Sequence, residues 1–247
     1  MIRGLLLLLL PLFTTAVVIP AFATEQVDVL LVLAADVSSS IDDLKFQLQR
    51  KGYADAISDP RVLDAIRSGR SGRIGLTFIE WSGVGSQHVV IDWTAVGDGK
   101  SAKSFGDRLL VAPRSFADHT SISGAIDFAI AQLGRAPYEA GRRIIDLSSD
   151  GTNNAGRDAR LARDEALAQN VTINCLVILS DPWQPVNRDH INPSGGLAAY
   201  YRRNVIGGPG AFVQSVQDFN TFGEAIVKKM VAEVAMTAGS LRQAQAP

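Results

Sequence analysis

An acidic residue and two hydroxyl residues alternate where a strongly apolar segment ends. Residues 27–35 are rich in Val and Leu, and this segment is short enough to be a strand buried on both faces of a parallel sheet. Asp36, Ser38 and Ser40 follow it, and alternate positions of an extended chain can share a face. Carboxylate and hydroxyl oxygens at the carboxyl end of a central strand suit a hard divalent cation. We therefore predict a metal site at this position.

Two later residues extend this site. Thr120 stands before a predicted helix at 121–133, and Asp150 follows a predicted strand at 143–147. Taken singly, these residues have simpler explanations, because Ser40 and Thr120 suit helix N-caps and an Asp-Gly pair at 150–151 is typical of a turn. In a doubly wound sheet, however, ligands bind beyond the carboxyl ends of the strands where the strand order reverses. If the first and fourth strands are neighbours there, all five residues converge.

Strand and helix patterns alternate along the 247 residues. We predict strands at 27–35, 73–81, 88–93, 143–147, 171–179 and 211–216, and helices at 41–57, 60–68, 103–110, 121–133, 158–169 and 219–234. This alternation predicts an α/β fold with a doubly wound, mostly parallel six-stranded sheet and helices on both faces. We expect a single domain at 24–238, followed by a flexible polar tail at 239–247.

The N-terminal segment has the features of a signal peptide. Arg3 precedes an apolar stretch at 4–19, and Ala21-Phe22-Ala23 has the form of a cleavage site. A membrane anchor is less consistent with this segment, since two prolines interrupt it and it is shorter than the roughly 20 apolar residues that a span needs. We predict cleavage after Ala23, a periplasmic or secreted protein, and no stable membrane insertion afterwards.

Charge and cysteine content exclude several classes of protein. Removing the leader takes away one basic residue, Arg3, which leaves 23 basic against 25 acidic residues and a net charge of −2. This balance argues against nucleic acid binding through charge. Cys175 is the only cysteine, so we expect a buried thiol. One cysteine and three scattered histidines cannot form a zinc cluster of the usual spacing.

The sequence resembles the von Willebrand factor A-type domains, which include integrin inserted domains and exported bacterial relatives. The resemblance covers about 27–234. It is carried by the motif of the family's metal-ion-dependent adhesion site, whose members follow the expected elements in the expected order: Asp36, Ser38, Ser40, Thr120 and Asp150. It implies a Rossmann-like fold with a short antiparallel edge strand, for which 89–93 is the candidate.

The resemblance also implies how the metal is bound and used. Ser38, Ser40 and Thr120 would bind it through their hydroxyls, while Asp36 and Asp150 would act mostly through bound water and hydrogen bonds. Mg²⁺ is the expected ion, with Mn²⁺ or Ca²⁺ as alternatives. Magnesium retains water, so at least one position stays exchangeable. An exchangeable position on a cation with neutral inner ligands would attract a carboxylate of a protein partner, which is the adhesion mechanism of this family.

Other functions compete with this hypothesis. A hydrolase acting on phosphate or other esters at the same metal would need a general base, and Glu80 and His119 are the candidates. A scaffold that binds metal only structurally is a third possibility. Gly99-Lys100-Ser101 lacks the earlier glycine of a phosphate-binding loop, and Ser148 stands where a dehalogenase-type phosphatase loop has its nucleophilic Asp. We therefore predict a binding domain and not an enzyme.

Specificity for one partner must come from the loops around the metal, because any accessible acidic residue could satisfy the ion. Two segments are expected at that surface, one after the second strand and the other the long connection at 181–210. Within them we predict Glu80, Trp81 and Trp183 as partner-binding residues. Tryptophan is common at the energetic centres of interfaces.

Overall fold

The structure is a computed structural model that describes residues 24–115, 118–179, 193–217 and 219–243. The strands in these ranges are β1 Glu25–Gln26, β2 Leu30–Asp36, β3 Ile74–Trp81, β4 Gln87–Val96, β5 Tyr138–Glu139, β6 Arg143–Ser149, β7 Val171–Ile178 and β8 Val213–Val216. The helices are α1 Asp43–Ser58, α2 Pro60–Arg67, α3 Gly99–Val111, α4 Ile122–Leu133, α5 Ala159–Ala168, α6 Leu197–Asn204 and α7 Phe222–Gln243.

Six of the strands form one sheet in the order β4-β3-β2-β6-β7-β8. Strand β4 is antiparallel to β3, and all other neighbours in this sheet are parallel. The predicted mostly parallel six-stranded sheet with an antiparallel edge strand is thereby confirmed. Strands β1 and β5 form a separate parallel pair, which was not predicted because two residues are too few to show periodicity.

Both faces of the sheet are covered by helices, which explains why β2 is buried at every position. One apolar core lies between the sheet and α1, α2, α3 and α7. The other lies between the sheet and α4, α5 and α6. The sheet order reverses between β2 and β6, since the chain extends from β2 towards β3 on one side and from β6 towards β7 on the other. This is the switch point at which such folds bind ligands.

The largest differences from the predicted elements lie in the C-terminal third. Helix α6 was not predicted, because its N-cap Gly196 provides no side-chain hydrogen bond and the helix falls in a long connection. Helix α7 extends to Gln243, nine residues beyond the predicted end and into the segment that we predicted to be a tail. In the described part of the chain, the structure contains no helix with the length and apolar character of a membrane span.

Candidate metal centre

Asp36 is the last residue of β2, and its carboxylate is fully buried. Its Oδ1 accepts a hydrogen bond of 2.8 Å from the backbone N–H of Ser38, and its Oδ2 accepts one of 2.5 Å from the hydroxyl of Ser149. Both carboxylate oxygens are therefore fixed by groups at the carboxyl ends of the two central strands. Ser149 was not among the predicted site residues, although it immediately precedes Asp150 in the sequence.

The serine hydroxyls connect the end of β2 to the end of β6. The Oγ atoms of Ser38 and Ser40 lie 3.3 Å apart, and the Ser40 hydroxyl donates a hydrogen bond of 2.6 Å to Oδ1 of Asp150. Ser38 and Asp150 are each about 1% exposed. Four of the five predicted residues thus form one group in contact through their side chains at the switch point.

Thr120 is held at the same edge by the loop that follows Asp150. Its backbone N–H donates to Oδ1 of Asn154 at 2.8 Å, and its carbonyl accepts from the backbone N–H of Asn154 at 2.9 Å. Thr120 is buried, with 2% exposure. Asn154 was missed by sequence reasoning, because nothing in its local pattern shows that its side chain forms this contact.

Neither Ser40 nor Thr120 serves as the helix N-cap that the simpler interpretation required. The cap of α1 is Asp42, whose Oδ1 accepts from the N–H of Lys45 at 2.9 Å. The cap of α4 is Ser121, whose Oγ accepts from the N–H of Gly124 at 3.2 Å. The simpler interpretation of Ser40 and Thr120 as helix caps is therefore wrong, and it no longer accounts for either residue.

The environment of Asp36 disfavours ionisation of its carboxyl group. Burial, followed by repulsion from Asp150, raises the pKa of Asp36 to about 7, although the hydrogen bonds from Ser149 and Ser38 oppose the shift. A cation bound between the carboxylates would favour the ionised form of both. This electrostatic situation fits a site for a positive ion.

The chemistry of the donor set also fits a divalent cation. Within the described residues, no group of three or more His, Cys, Asp and Glu side chains is placed to hold a metal ion. A metal at the switch point would instead be held by the hydroxyls of Ser38, Ser40 and Thr120, with Asp36 and Asp150 supplying the negative charge. Such an all-oxygen set is typical of magnesium, manganese or calcium sites.

Two of the predicted partner-binding residues do not lie on the surface. Glu80 and Trp81 are both fully buried. They are the last two residues of β3, which lies between β2 and β4 in the sheet. The side chain of Glu80 forms an ion pair with Arg50 at 2.6 Å. The side chain of Trp81 packs in the core beneath α4. The prediction that these two side chains contact a partner is corrected accordingly. Trp183 lies outside the described residues.

The two candidate general bases are placed differently. Both carboxylate oxygens of Glu80 are already bound, one by Arg50 and the other by the backbone N–H of Ser115 at 2.9 Å. His119 precedes Thr120, its side chain is 70% exposed, and its Nδ1 lies 2.6 Å from Oδ1 of Asp118. Glu80 therefore cannot accept a proton from a metal-bound water without breaking its ion pair.

The phosphate-loop alternative fails as well, since Ser101 completes the capping box of α3 with Asp98.

An open groove of about 610 Å³ begins beside Thr120. Its lining includes Asn154, which binds Thr120, together with Arg160, Tyr200 and Asn204. Tyr200 is half-buried, and its hydroxyl accepts from the backbone N–H of Asn153 at 3.2 Å. This groove was not predicted, because it is formed by the start of α5 and by the unpredicted helix α6.

A family model described as "Protein of unknown function (DUF1194)" matches residues 26–238. No curated protein matches the chain. Solved structures that share its fold include the following three, each of which is aligned over 86% of this chain.

The first structure is proximal thread matrix protein 1 from the mussel byssus, with a zinc-occupied MIDAS motif, at 13% identity and a TM-score of 0.59 over 47% of that chain. The second is a von Willebrand factor type A protein from Catenulispora acidiphila, at 16% identity and a TM-score of 0.57 over 43% of that chain. The third is the pilus adhesin SpaC from Lactobacillus rhamnosus GG, in its open conformation, at 13% identity and a TM-score of 0.58 over 31% of that chain.

The present chain therefore spans less than half the length of each of these structures. At such low identities, the similarity establishes the fold alone. The chain belongs to the DUF1194 family, and its fold is that of the von Willebrand factor A-type domains.

Proposed function

We propose that the protein is an exported, non-enzymatic binding domain that uses a divalent cation to recognise an acidic group on a protein partner. The observation that carries this proposal is the contact between the Ser38–Ser40 loop and Asp150 at the switch point, together with the capping of both adjacent helices by other residues. The zinc-occupied MIDAS motif of the byssus protein, on the same fold, supports it by analogy.

The charges of the donor set favour binding of a carboxylate. Two carboxylates, Asp36 and Asp150, balance one divalent cation, while the three hydroxyls add oxygen ligands without adding charge. We propose Mg²⁺ as the ion, with Mn²⁺ and Ca²⁺ as alternatives. Magnesium exchanges its remaining water for an oxygen ligand from outside. Because its inner protein ligands would be neutral, the ion would attract an anionic oxygen from the partner.

A metal-dependent hydrolase is the alternative function. It would need a general base near a metal-bound water, and Glu80 is held in a buried ion pair. His119 remains exposed beside Thr120, so turnover of generic phosphate esters is the measurement that separates the two functions. We expect no turnover that depends on His119.

We propose that the groove beside Thr120 contacts the partner next to its acidic residue. The groove contains the exposed guanidinium of Arg160, which is paired with Asp158, and the half-buried aromatic ring of Tyr200. Trp183, in the connection that precedes α6, stays a predicted contact. Replacing Trp183 by alanine is expected to weaken partner binding by about 1–3 kcal/mol and to leave the affinity for Mg²⁺ unchanged.

Replacement of Thr120 by alanine tests the proposed function. We expect the wild type to bind Mg²⁺ in calorimetric titration and to retain a partner from periplasmic extract in Mg²⁺ but not in EDTA. Thr120→Ala should lose both properties while keeping its circular dichroism spectrum, because its backbone contacts to Asn154 do not need the hydroxyl. Mg²⁺ affinity equal to that of the wild type would contradict the proposed ligand role.

The proposal includes export with cleavage after Ala23, which would make Thr24 the first residue of the mature protein. The signal-like pattern at 1–23 motivates this expectation. N-terminal sequencing of the protein from the periplasmic or secreted fraction checks it. Retention of Met1 or Ile2 would favour the anchor interpretation instead.

A further inference from the structure

Two arginines lie beneath the loops that carry the hydroxyl ligands, and neither was singled out by its sequence pattern. Arg50, on α1, is 4% exposed, and Arg114, which follows α3, is 21% exposed. Both guanidinium groups lie against the ring of Phe46, at 4.9 and 5.0 Å from its centre. Contacts of this kind between a guanidinium and an aromatic ring stabilise both side chains.

Arg114 binds the loop that contains Ser38 and Ser40, which we call the serine loop (residues 37–41). Its Nη2 donates to the carbonyl of Ile41 at 2.6 Å and to that of Val37 at 3.2 Å. These are the two ends of the serine loop, so one planar guanidinium fixes the distance between them. Its Nη1 also donates to Oδ1 of Asp43 at 3.1 Å, which connects the loop to the first turn of α1.

The Arg50–Glu80 pair holds the segment from which Arg114 extends. Arg50 donates through Nε to Oε1 of Glu80 at 2.8 Å, and through Nη1 and Nη2 to the carbonyls of Leu109 and Pro113. The other oxygen of Glu80 accepts from the N–H of Ser115 at 2.9 Å. Arg114 therefore lies between two residues whose backbone is bound by a buried ion pair.

The serine loop is also bound directly to the approach to Thr120. The backbone N–H and the hydroxyl of Ser39 both donate to the carbonyl of Asp118, each at 3.0 Å. Asp118 stands two residues before Thr120 and four residues after Arg114 along the chain. Arg114 thus holds the two ends of the serine loop, and Ser39 connects this loop to Asp118.

We propose that Arg114 is a positioning residue for the metal site. It holds the ends of the serine loop in the arrangement in which the hydroxyls of Ser38 and Ser40 would bind one ion together with that of Thr120, and the Arg50–Glu80 pair supports it. This inference rests on the proposed function. A loop that is ordered before the ion arrives does not lose conformational freedom on binding, so the affinity rises.

A positioning role and a purely electrostatic role of Arg114 predict opposite changes in Mg²⁺ affinity when this residue is replaced. Arg114 carries a positive charge near a cation site, so if charge alone mattered, its removal would tighten Mg²⁺ binding. If positioning dominates, removal weakens binding, and loss of residues that orient metal ligands typically costs about 10–100-fold in affinity. Lysine keeps the charge, but its single nitrogen cannot bind the two loop carbonyls and Asp43 together as the two nitrogens of the guanidinium do. Positioning therefore predicts that Arg114→Lys is also weakened.

The experiment compares Mg²⁺ titrations of the full chain with the wild-type sequence and with Arg114→Ala, Arg114→Lys and Arg61→Ala. Arg61 is an exposed arginine on α2, paired with Asp59 and Glu224, and serves as the matched control. We expect about 10–100-fold weaker binding for Arg114→Ala, weaker binding for Arg114→Lys, and no change for Arg61→Ala. Unchanged or tighter binding by Arg114→Ala would overturn the inference, as would equal losses in the Arg61 and Arg114 variants.

Hydrogen exchange in EDTA provides a second readout that does not require the metal. Exchange across residues 37–41 should be faster in Arg114→Ala than in the wild type, while β6 and β7 remain as protected as before. Equal exchange in the serine loop would also overturn the inference. If the wild type binds no Mg²⁺, the proposed function and the positioning role both fail. If the wild type and Arg114→Ala bind Mg²⁺ with the same affinity, only the positioning role fails.

Discussion

Replacing Lys229 by methionine is expected to destabilise the protein by about 3–5 kcal/mol, because it leaves two buried carboxylates without their cation. Lys229 on α7 is fully buried, and its Nζ lies 2.5 Å from Asp146 of β6 and 2.5 Å from Glu233 of α7. Burial alone would lower the pKa of Lys229, but attraction to these two carboxylates outweighs it and the pKa is raised. The ammonium is therefore charged and forms an ion pair with each carboxylate.

Lys229, Asp146 and Glu233 form a buried cluster. It contains one more carboxylate than its single ammonium can balance. Burial, and then repulsion from Asp146, raise the pKa of Glu233 to about 7, while Lys229 and Asn174 oppose this shift. The hydroxyl of Tyr53 and the thiol of Cys175 face the same cluster, and burial raises the pKa of both, so they stay neutral. Glu233 therefore takes up a proton more readily in the folded protein than in the unfolded chain.

This direction determines how stability depends on pH. The stabilisation from the proton on Glu233 is fully present below its unfolded pKa of about 4.5 and is lost as the pH rises through about 7. Glu233→Gln should consequently be more stable than the wild type at pH 8 and closer to it at pH 5. Its amide oxygen can still accept the 2.9 Å hydrogen bond from Nδ2 of Asn174.

Chemical denaturation at pH 8 and pH 5 measures these effects. Lys228→Met is the matched control for Lys229→Met, since Lys228 is the neighbouring residue of the same helix and its side chain is 64% exposed. We expect the control to change the free energy of unfolding by less than about 0.5 kcal/mol. If the free energy of unfolding falls by a comparable amount in both lysine variants, the effect of Lys229 does not come from the buried cluster.

Asp36→Asn is expected to abolish metal binding without unfolding the protein. The amide keeps the shape of the carboxylate, its oxygen can accept from the N–H of Ser38, and its nitrogen can donate to the hydroxyl of Ser149 after that hydroxyl turns. The negative charge that would balance the cation is lost. Because the repulsion between Asp36 and Asp150 is also removed, the variant should be at least as stable as the wild type in EDTA.

Thermal or chemical unfolding with and without Mg²⁺ quantifies this prediction. At a Mg²⁺ concentration about 100 times the dissociation constant, the wild type should gain about 2.7 kcal/mol of stability, and Asp36→Asn should gain none. Asp55→Asn removes an exposed carboxylate on α1 and should respond to Mg²⁺ as the wild type does. An equal gain in Asp36→Asn and the wild type would exclude Asp36 from the site.

Local chemistry in the sequence was sufficient to predict the six-stranded sheet and the oxygen side chains that meet at the ends of its two central strands. The apolar run that ends at Asp36 predicts a buried strand, because a strand without a polar face must be covered on both sides of the sheet. Its alternating oxygen side chains then predict a ligand at the strand end. Both inferences depend on the pattern of apolar and polar residues within a short segment. Such a local pattern can be recognised in the sequence without knowledge of the fold.

The capping of the helices was decided by tertiary contacts. Ser40 and Asp42 are both good N-cap residues, and the sequence alone does not distinguish between them. The contact of Ser40 with Asp150, which lies 110 residues further along the chain, leaves Asp42 to cap α1.

Burial of charged side chains was likewise decided by residues distant in sequence. Glu80 at the end of a strand was predicted to face a partner, but Arg50 and Ser115 bind it in the interior. Asp146 interrupts an apolar segment of β6, and only the packing of α7 against the sheet shows that Lys229 neutralises it. The sequence by itself determined which segments form the six-stranded sheet and which oxygen side chains follow its central strands. Tertiary structure alone decided which charges are paired in the interior and which side chains support the site, because a buried charge requires a partner that only the fold brings near.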